Sequence, residues 1–169
     1  MNTEFKKLSS SKVFGDDYQT KRQEIQDEIE VVVRSGLTEA KYAKCVIAAA
    51  QTGLTVILEQ LIECDAYWKD IESRDANKAF DRAAYNGKLS SLKMLFEHGV
   101  SGTAMALEYA CKFGFEKVVV FLLEEVGTRK TLWCLTNARN RARKCKVIDE
   151  TSSGWNKYQK AQRILQMVK

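Results

Sequence analysis

The feature that most constrains this chain of 169 residues is a pattern that recurs along its middle. Between Ala79 and Val100 the sequence reads AFDRAAYNGKLSSLKMLFEHGV. Phe80, Ala83, Ala84 and Gly87 stand at i, i+3, i+4 and i+7, the spacing of one helical face. Leu89, Leu92, Leu95 and Phe96 follow at once with a second apolar face, closed by His98-Gly99. These spacings predict a short helix with alanines on its packing side, a tight turn at Asn86-Gly87, and a greasier second helix. Gly99 stands where a left-handed C-terminal cap is wanted.

The same plan appears on either side. With Gly53 set over Gly87, Val46 falls on Phe80, Ala49-Ala50 on Ala83-Ala84, and Leu58 and Leu61-Ile62 on Leu92 and Leu95-Phe96. Ala40, Ala43, Val56 and Ile57 extend the two helices of this first unit, and Thr38 is placed to cap it. Downstream, Ser101-Gly102-Thr103 opens a third unit in which Leu107, Ala110-Cys111, Gly114, Val118-Val119 and Leu122-Leu123 fill the same slots. The apolar run from Val118 to Leu123 reads as a strand or a buried helix by periodicity alone, and its place in the repeat selects the helix. The turn glycines Gly53, Gly87 and Gly114 are 34 and then 27 residues apart. A repeat of this length predicts a stacked array, in which about three units are the minimum for stability because no unit buries its apolar face alone.

The flanks are read against that array. Residues 1–17 are polar and are expected to be a mobile leader. An amphipathic helix from Tyr18 to Arg34, with Ile25, Ile29, Val32 and Val33 on one side and Ser35-Gly36 as its stop, is expected to cap the array over 18–36. Residues 65–75 join the first two units. A fourth, degraded unit is expected over 128–169. In it Leu132, Leu135, Ala138, Ala142 and Cys145 form a stripe on a helix from Thr131 to Lys146. A last helix then presents Tyr158, Ala161, Ile164, Leu165 and Val168, with Lys157, Lys160 and Arg163 pointing away.

The three central units, residues 37–127, resemble ankyrin repeats, on the strength of Ala83-Ala84-x-x-Gly87, Leu92, Leu95-Phe96 and Gly99. The family's T-P-L-H opening is absent from every unit, and the 27-residue spacing implies that the protruding finger between the second and third is missing. The resemblance implies an all-α, ankyrin-like helical-hairpin solenoid of three to four repeats, forming one domain over 18–169; a HEAT or Sel1-like α-hairpin array is the alternative. It also implies a concave face built from outward residues of the first helices. By register these are Ala48, Gln51 and Thr52, then Arg82, Tyr85 and Asn86, then Tyr109, Lys112 and Phe113. Ankyrin-like arrays serve as inhibitors, adaptors and pathogen effectors, and an array this small and divergent suits a viral or effector protein that intercepts a host factor.

Charge supplies a second candidate. Residues 1–128 hold 16 Lys/Arg against 20 Asp/Glu, whereas residues 129–169 hold 11 against 2. Seven of those cations lie in residues 129–146, which contain no acid. Arg139, Arg141, Arg143 and Lys144 are therefore candidates for contact with nucleic acid or another anionic surface. A solvated capping face is the plainer reading, since a terminal repeat needs a polar outer side.

No catalytic constellation is legible. The single histidine, His98, stands at a helix end, where a capping role is expected. Phosphate-binding glycine loops, nucleophile elbows and zinc-helix motifs are all missing. Five cysteines without a C-x-x-C pair predict reduced thiols packed as small hydrophobes and a cytosolic or nuclear protein. No apolar run approaches the roughly 18 residues of a membrane span. The expectation is a non-catalytic scaffold without cofactor or metal. It binds a protein partner through Gln51, Arg82, Tyr85, Asn86, Tyr109, Lys112 and Phe113, and nucleic-acid binding through the basic helix is the alternative.

Overall fold

The computed structural model describes residues 16–34, 38–63, 68, 73–145 and 155–169. Among these residues the structure is all-α, with nine helices and no strand. The chain falls into two compact units, Met1–Val100 and Ser101–Lys169. The first contains α1 (Asp16–Arg34), α2 (Glu39–Thr52), α3 (Thr55–Glu63), α4 (Ser73–Tyr85) and α5 (Leu89–Glu97). The second contains α6 (Ala104–Phe113), α7 (Glu116–Glu124), α8 (Leu132–Cys145) and α9 (Trp155–Met167).

Three pairs, α2–α3, α4–α5 and α6–α7, are hairpins wired alike. Gly53, Gly87 and Gly114 have φ of 77°, 68° and 77°, the left-handed region that only glycine enters without steric cost. The residue after each glycine donates its amide to the carbonyl five residues back. Leu54 reaches Ala49 at 3.0 Å, Lys88 reaches Ala83 at 2.9 Å, and Phe115 reaches Ala110 at 3.0 Å. This bond satisfies a carbonyl that the end of the first helix would leave orphaned. The same residue then starts the second helix, its carbonyl accepting from Leu58, Leu92 and Val119 respectively. Ala49, Ala83 and Ala110 are completely buried, so a small side chain stands wherever the turn folds back.

In the first unit α2 packs on α4, and α3 on α5. Tyr42, Val46, Leu58, Phe80, Leu92 and Leu95 are its fully enclosed large side chains, together with Ile29 from α1. Full burial of a side chain such as Phe80 contributes about 1.5–3 kcal/mol. The buried Tyr42 hydroxyl donates to the Leu61 carbonyl at 2.7 Å, which ties α2 to the last turn of α3. Arg22 of α1 donates to the Gly53 carbonyl at 3.3 Å, placing a cation at the negative end of α2.

In the second unit α8 packs on α6 and α9, and α9 also meets α7. Thr103 caps α6 by accepting from the Met105 amide at 3.1 Å, and Thr131 caps α8 by accepting from Cys134 at 3.2 Å. Ala142 and Ala161 form the α8–α9 contact, flanked by Tyr158 and Leu165. Arg163 of α9 pairs with Glu116 of α7 through both carboxylate oxygens, an exposed bridge of small energetic weight.

The run from Val118 to Leu123 is helical, within α7, as its place in the repeat predicts. Several other expectations change. Ser73–Asp75, expected in a connection, form the first turn of α4, where Asp75 favours the positive helix end. Val56 is 67 % exposed, because the buried face of α3 is Ile57, Leu58, Leu61 and Ile62. Leu132, expected in the stripe of α8, is 76 % exposed. The stripe runs instead through Cys134, Ala138 and Ala142, and two residues before Cys134 lies the opposite side of the helix. Thr38 occupies the N-cap of α2 without a side-chain hydrogen bond. Asp16 and Asp17, expected in the leader, form the start of α1. The rest of the leader, the stop at Ser35-Gly36, most of the 65–75 connection and the side chains of Val32, Val33 and Cys145 lie outside the described residues.

Candidate binding surfaces

The expected interface residues occupy the last turns of α2, α4 and α6, where the helix ends at the glycine turn. Gln51 is buried, and its Oε1 has no hydrogen-bond partner. Ala48, expected beside it, is buried as well. The Thr52 hydroxyl bonds back to the Ala48 carbonyl at 2.6 Å. The last turn of α2 therefore offers little to a partner. This is a correction to the register: α2 carries its outward surface elsewhere, because α4 and α3 both pack against it.

Arg82, Tyr85 and Asn86 are half-buried at the end of α4. Asn86 donates its side-chain amide to the Arg82 carbonyl at 3.0 Å, so it serves the helix terminus. Arg82 and Tyr85 remain partly open to solvent. On α6 Tyr109 and Phe113 are half-buried and Lys112 is exposed. The Lys112 ammonium lies 5.5 Å from the Phe113 ring centre, a cation–π distance, and the Phe113 and Phe115 rings stand 6.2 Å apart. A tyrosine, an aromatic pair and a paired cation therefore line the end of α6, the residue types that anchor protein interfaces.

The basic helix divides. Arg139, Arg143 and Lys144 are exposed on α8, whereas Arg141 is half-buried. A Cβ at Gly114 would stand 3.1 Å from the Arg141 Nε, so this guanidinium lies against the α6–α7 turn. Arg141 belongs to the packing of its unit and not to the exposed basic row. Trp133, at the start of the same helix, is 67 % exposed, so an aromatic ring does accompany the cations.

One cluster was invisible in the sequence. The Cys111 and Cys134 thiols, both free and completely buried, share a hydrogen bond inside the α6–α8 contact. That bond, aided by the Thr131 hydroxyl 3.3 Å away and opposed by burial, brings Cys134 down to about 6. The same bond and burial push Cys111 strongly upward. Thr131 also donates to Glu108 at 2.8 Å. The i, i+3 spacing of Thr131 and Cys134 was legible, but their partners 23 residues earlier were not. In the first unit Cys45 is raised to about 11, chiefly by burial and next by Glu28, against Lys41.

His98 ends α5, its amide bonded to the Met94 carbonyl and its ring edge-on to Trp68 at 6.3 Å. Among the described residues no group of three His, Cys, Asp or Glu side chains is placed to hold a metal ion. No helix among them is long and apolar enough to cross a membrane. No protein-family model, no curated protein and no solved structure matches the chain.

Proposed function

We propose that this protein is a non-catalytic scaffold of ankyrin-like helical hairpins that docks a partner protein through first-helix side chains. The observation that carries the reading is the hydrogen bond repeated at Ala49, Ala83 and Ala110. It fixes the ends of α2, α4 and α6 in one conformation, so their side chains are ordered before any partner arrives. Little entropy is then lost on docking. Arg82 and Tyr85 in the first unit, and Tyr109, Lys112 and Phe113 in the second, are the residues assigned to the contact. Asn86 serves its helix end instead, and Gln51 is enclosed.

A second reading is favoured by the exposure of Arg139, Arg143 and Lys144 on one acid-free helix: binding to a polyanion. Affinity capture from lysate, with and without nuclease and at low and raised salt, separates the two. The scaffold reading expects a protein partner that survives nuclease and salt and is lost with Tyr85→Ala/Tyr109→Ala. Recovery of nucleic acid, lost with Arg139→Glu/Arg143→Glu, would overturn it in favour of the second.

A further inference from the structure

The buried faces of α6 and α8 carry small side chains. Ala106, Ala110 and Cys111 are buried on α6, and Cys134 and Ala138 on α8. The two helices pack on each other, and side chains of this size let their backbones approach closely.

Hydrogen bonds across the contact set its register. Thr131, at the start of α8, donates to the Glu108 carboxylate at 2.8 Å, and Asn137 donates to the Glu108 carbonyl at 3.4 Å. Cys111 stands one turn after Glu108, and Cys134 one turn after Thr131. The two cysteines therefore fall opposite each other, and their thiols share a hydrogen bond. A disulfide needs Cβ atoms about 3.5–4.5 Å apart. Two thiols already in contact across closely packed helices reach that geometry with a small shift.

The two sulfurs are also unlike. Cys111 donates and Cys134 accepts, which pulls the Cys134 thiol down and pushes Cys111 up, although burial and Glu108 oppose the first effect. Cys134 is thus the sulfur that carries thiolate character, and thiolate is the reactive form. It lies in the first turn of α8 next to the exposed Leu132 and Trp133. Opening of that one turn admits a small reagent without unfolding the unit. Cys45 in the first unit is raised by burial and then by Glu28, which keeps it in the unreactive thiol form.

We propose that Cys111 and Cys134 form a reversible disulfide under hydroperoxide, a bridge that locks α6 to α8. The Cys134 thiolate attacks one peroxide oxygen, the O–O bond breaks, and the sulfur becomes a sulfenic acid as hydroxide departs. The Cys111 sulfur then attacks the sulfenic sulfur. Its proton goes to the departing hydroxyl, and water leaves. The two thiols together give up two hydrogens and two electrons, and the peroxide is reduced to water. A dithiol reverses the bridge by thiol–disulfide exchange. This chemistry is independent of whether a protein or a polyanion docks on the surface.

The test treats the full chain with hydrogen peroxide, alkylates the remaining thiols in denaturant, and maps unreduced peptides by mass spectrometry. The expected product of the folded chain is the Cys111–Cys134 peptide, several-fold above any other pairing and removed by dithiothreitol. Peroxide treatment in guanidinium should instead spread the pairing over the five cysteines. Cys111→Ala should leave Cys134 as a sulfenic acid that dimedone traps, whereas Cys134→Ala should leave Cys111 reduced. Circular dichroism checks that both variants fold. The Cys45→Ala/Cys64→Ala/Cys145→Ala variant keeps the pair, and its urea midpoint should rise on oxidation and return with dithiothreitol. Recovery of both thiols reduced from the folded, treated chain would overturn the proposal. So would a pairing pattern equal to that of the denatured chain, or Cys134 oxidised to sulfinic acid with Cys111 untouched. A urea midpoint that falls on oxidation would overturn it as well, because the helices would then not accommodate the bridge.

Discussion

The two units share a hairpin and differ in what they place around it. In the first, the Gly53 turn is covered by the aliphatic chain of Lys88, whose Cδ would stand 3.1 Å from a Cβ at Gly53. In the second, the Gly114 turn is covered at the same 3.1 Å by the guanidinium of Arg141. Both turns end a helix whose C-terminal carbonyls carry partial negative charge, so a cation suits either place. Backbone wiring is thus held constant while surfaces diverge. The exposed large hydrophobics of the first unit are Val31 and Val56, whereas those of the second are Met105, Leu132 and Trp133. A repeated scaffold leaves its outer positions free to specialise, which is how one plan carries two kinds of surface.

The buried thiols offer the strongest way to break the comparison. Cys45 is a lone thiol raised to about 11 from the 9.0 of an unburied thiol. A group whose folded value is raised contributes stability that is complete below the unfolded value and lost as pH rises through the folded one. The first unit should therefore lose about 3 kcal/mol between pH about 9 and about 11. Denaturant titrations across that window should show a shallower decline in Cys45→Ala than in the parent. Equal slopes would mean that Cys45 is not enclosed. Among the described residues of the second unit, Cys111 and Cys134 are hydrogen-bonded neighbours and neither is a lone thiol.

The turns give a smaller and more equal effect. Gly53→Ala and Gly114→Ala each force a Cβ into the left-handed region and against a neighbouring cation, at a cost of roughly 1–2 kcal/mol. Chemical denaturation of both variants checks this. The comparison is sharpened by adding Lys88→Ala to the first and Arg141→Ala to the second. Each second change should recover only the crowding part, leaving the φ penalty. A Gly114→Ala variant as stable as the parent would show that the turns are not equivalent.

The hairpins were legible in the sequence because their determinants are local. A glycine in the left-handed region, an alanine four residues before it and a leucine or valine five residues after it are read within a dozen residues. Sides of helices were harder. Leu132 looked like core because it is leucine, yet the small Cys134, Ala138 and Ala142 face inward and let α8 approach α6 and α9 closely. That choice depends on which neighbour the helix meets, which spacing alone does not encode. Gln51 was misplaced for a similar reason, since α2 is enclosed by more than one helix. The Cys111–Cys134 pair depends on tertiary packing across more than 20 residues of sequence.

Amide hydrogen exchange at Leu54, Lys88 and Phe115 tests most directly the claim that one hairpin is built three times. The account predicts that all three amides are protected well beyond those of exposed turns, because each is held by a buried alanine carbonyl. Exchange at the rate of an open chain at any one of them, under conditions where helix content persists, would contradict it.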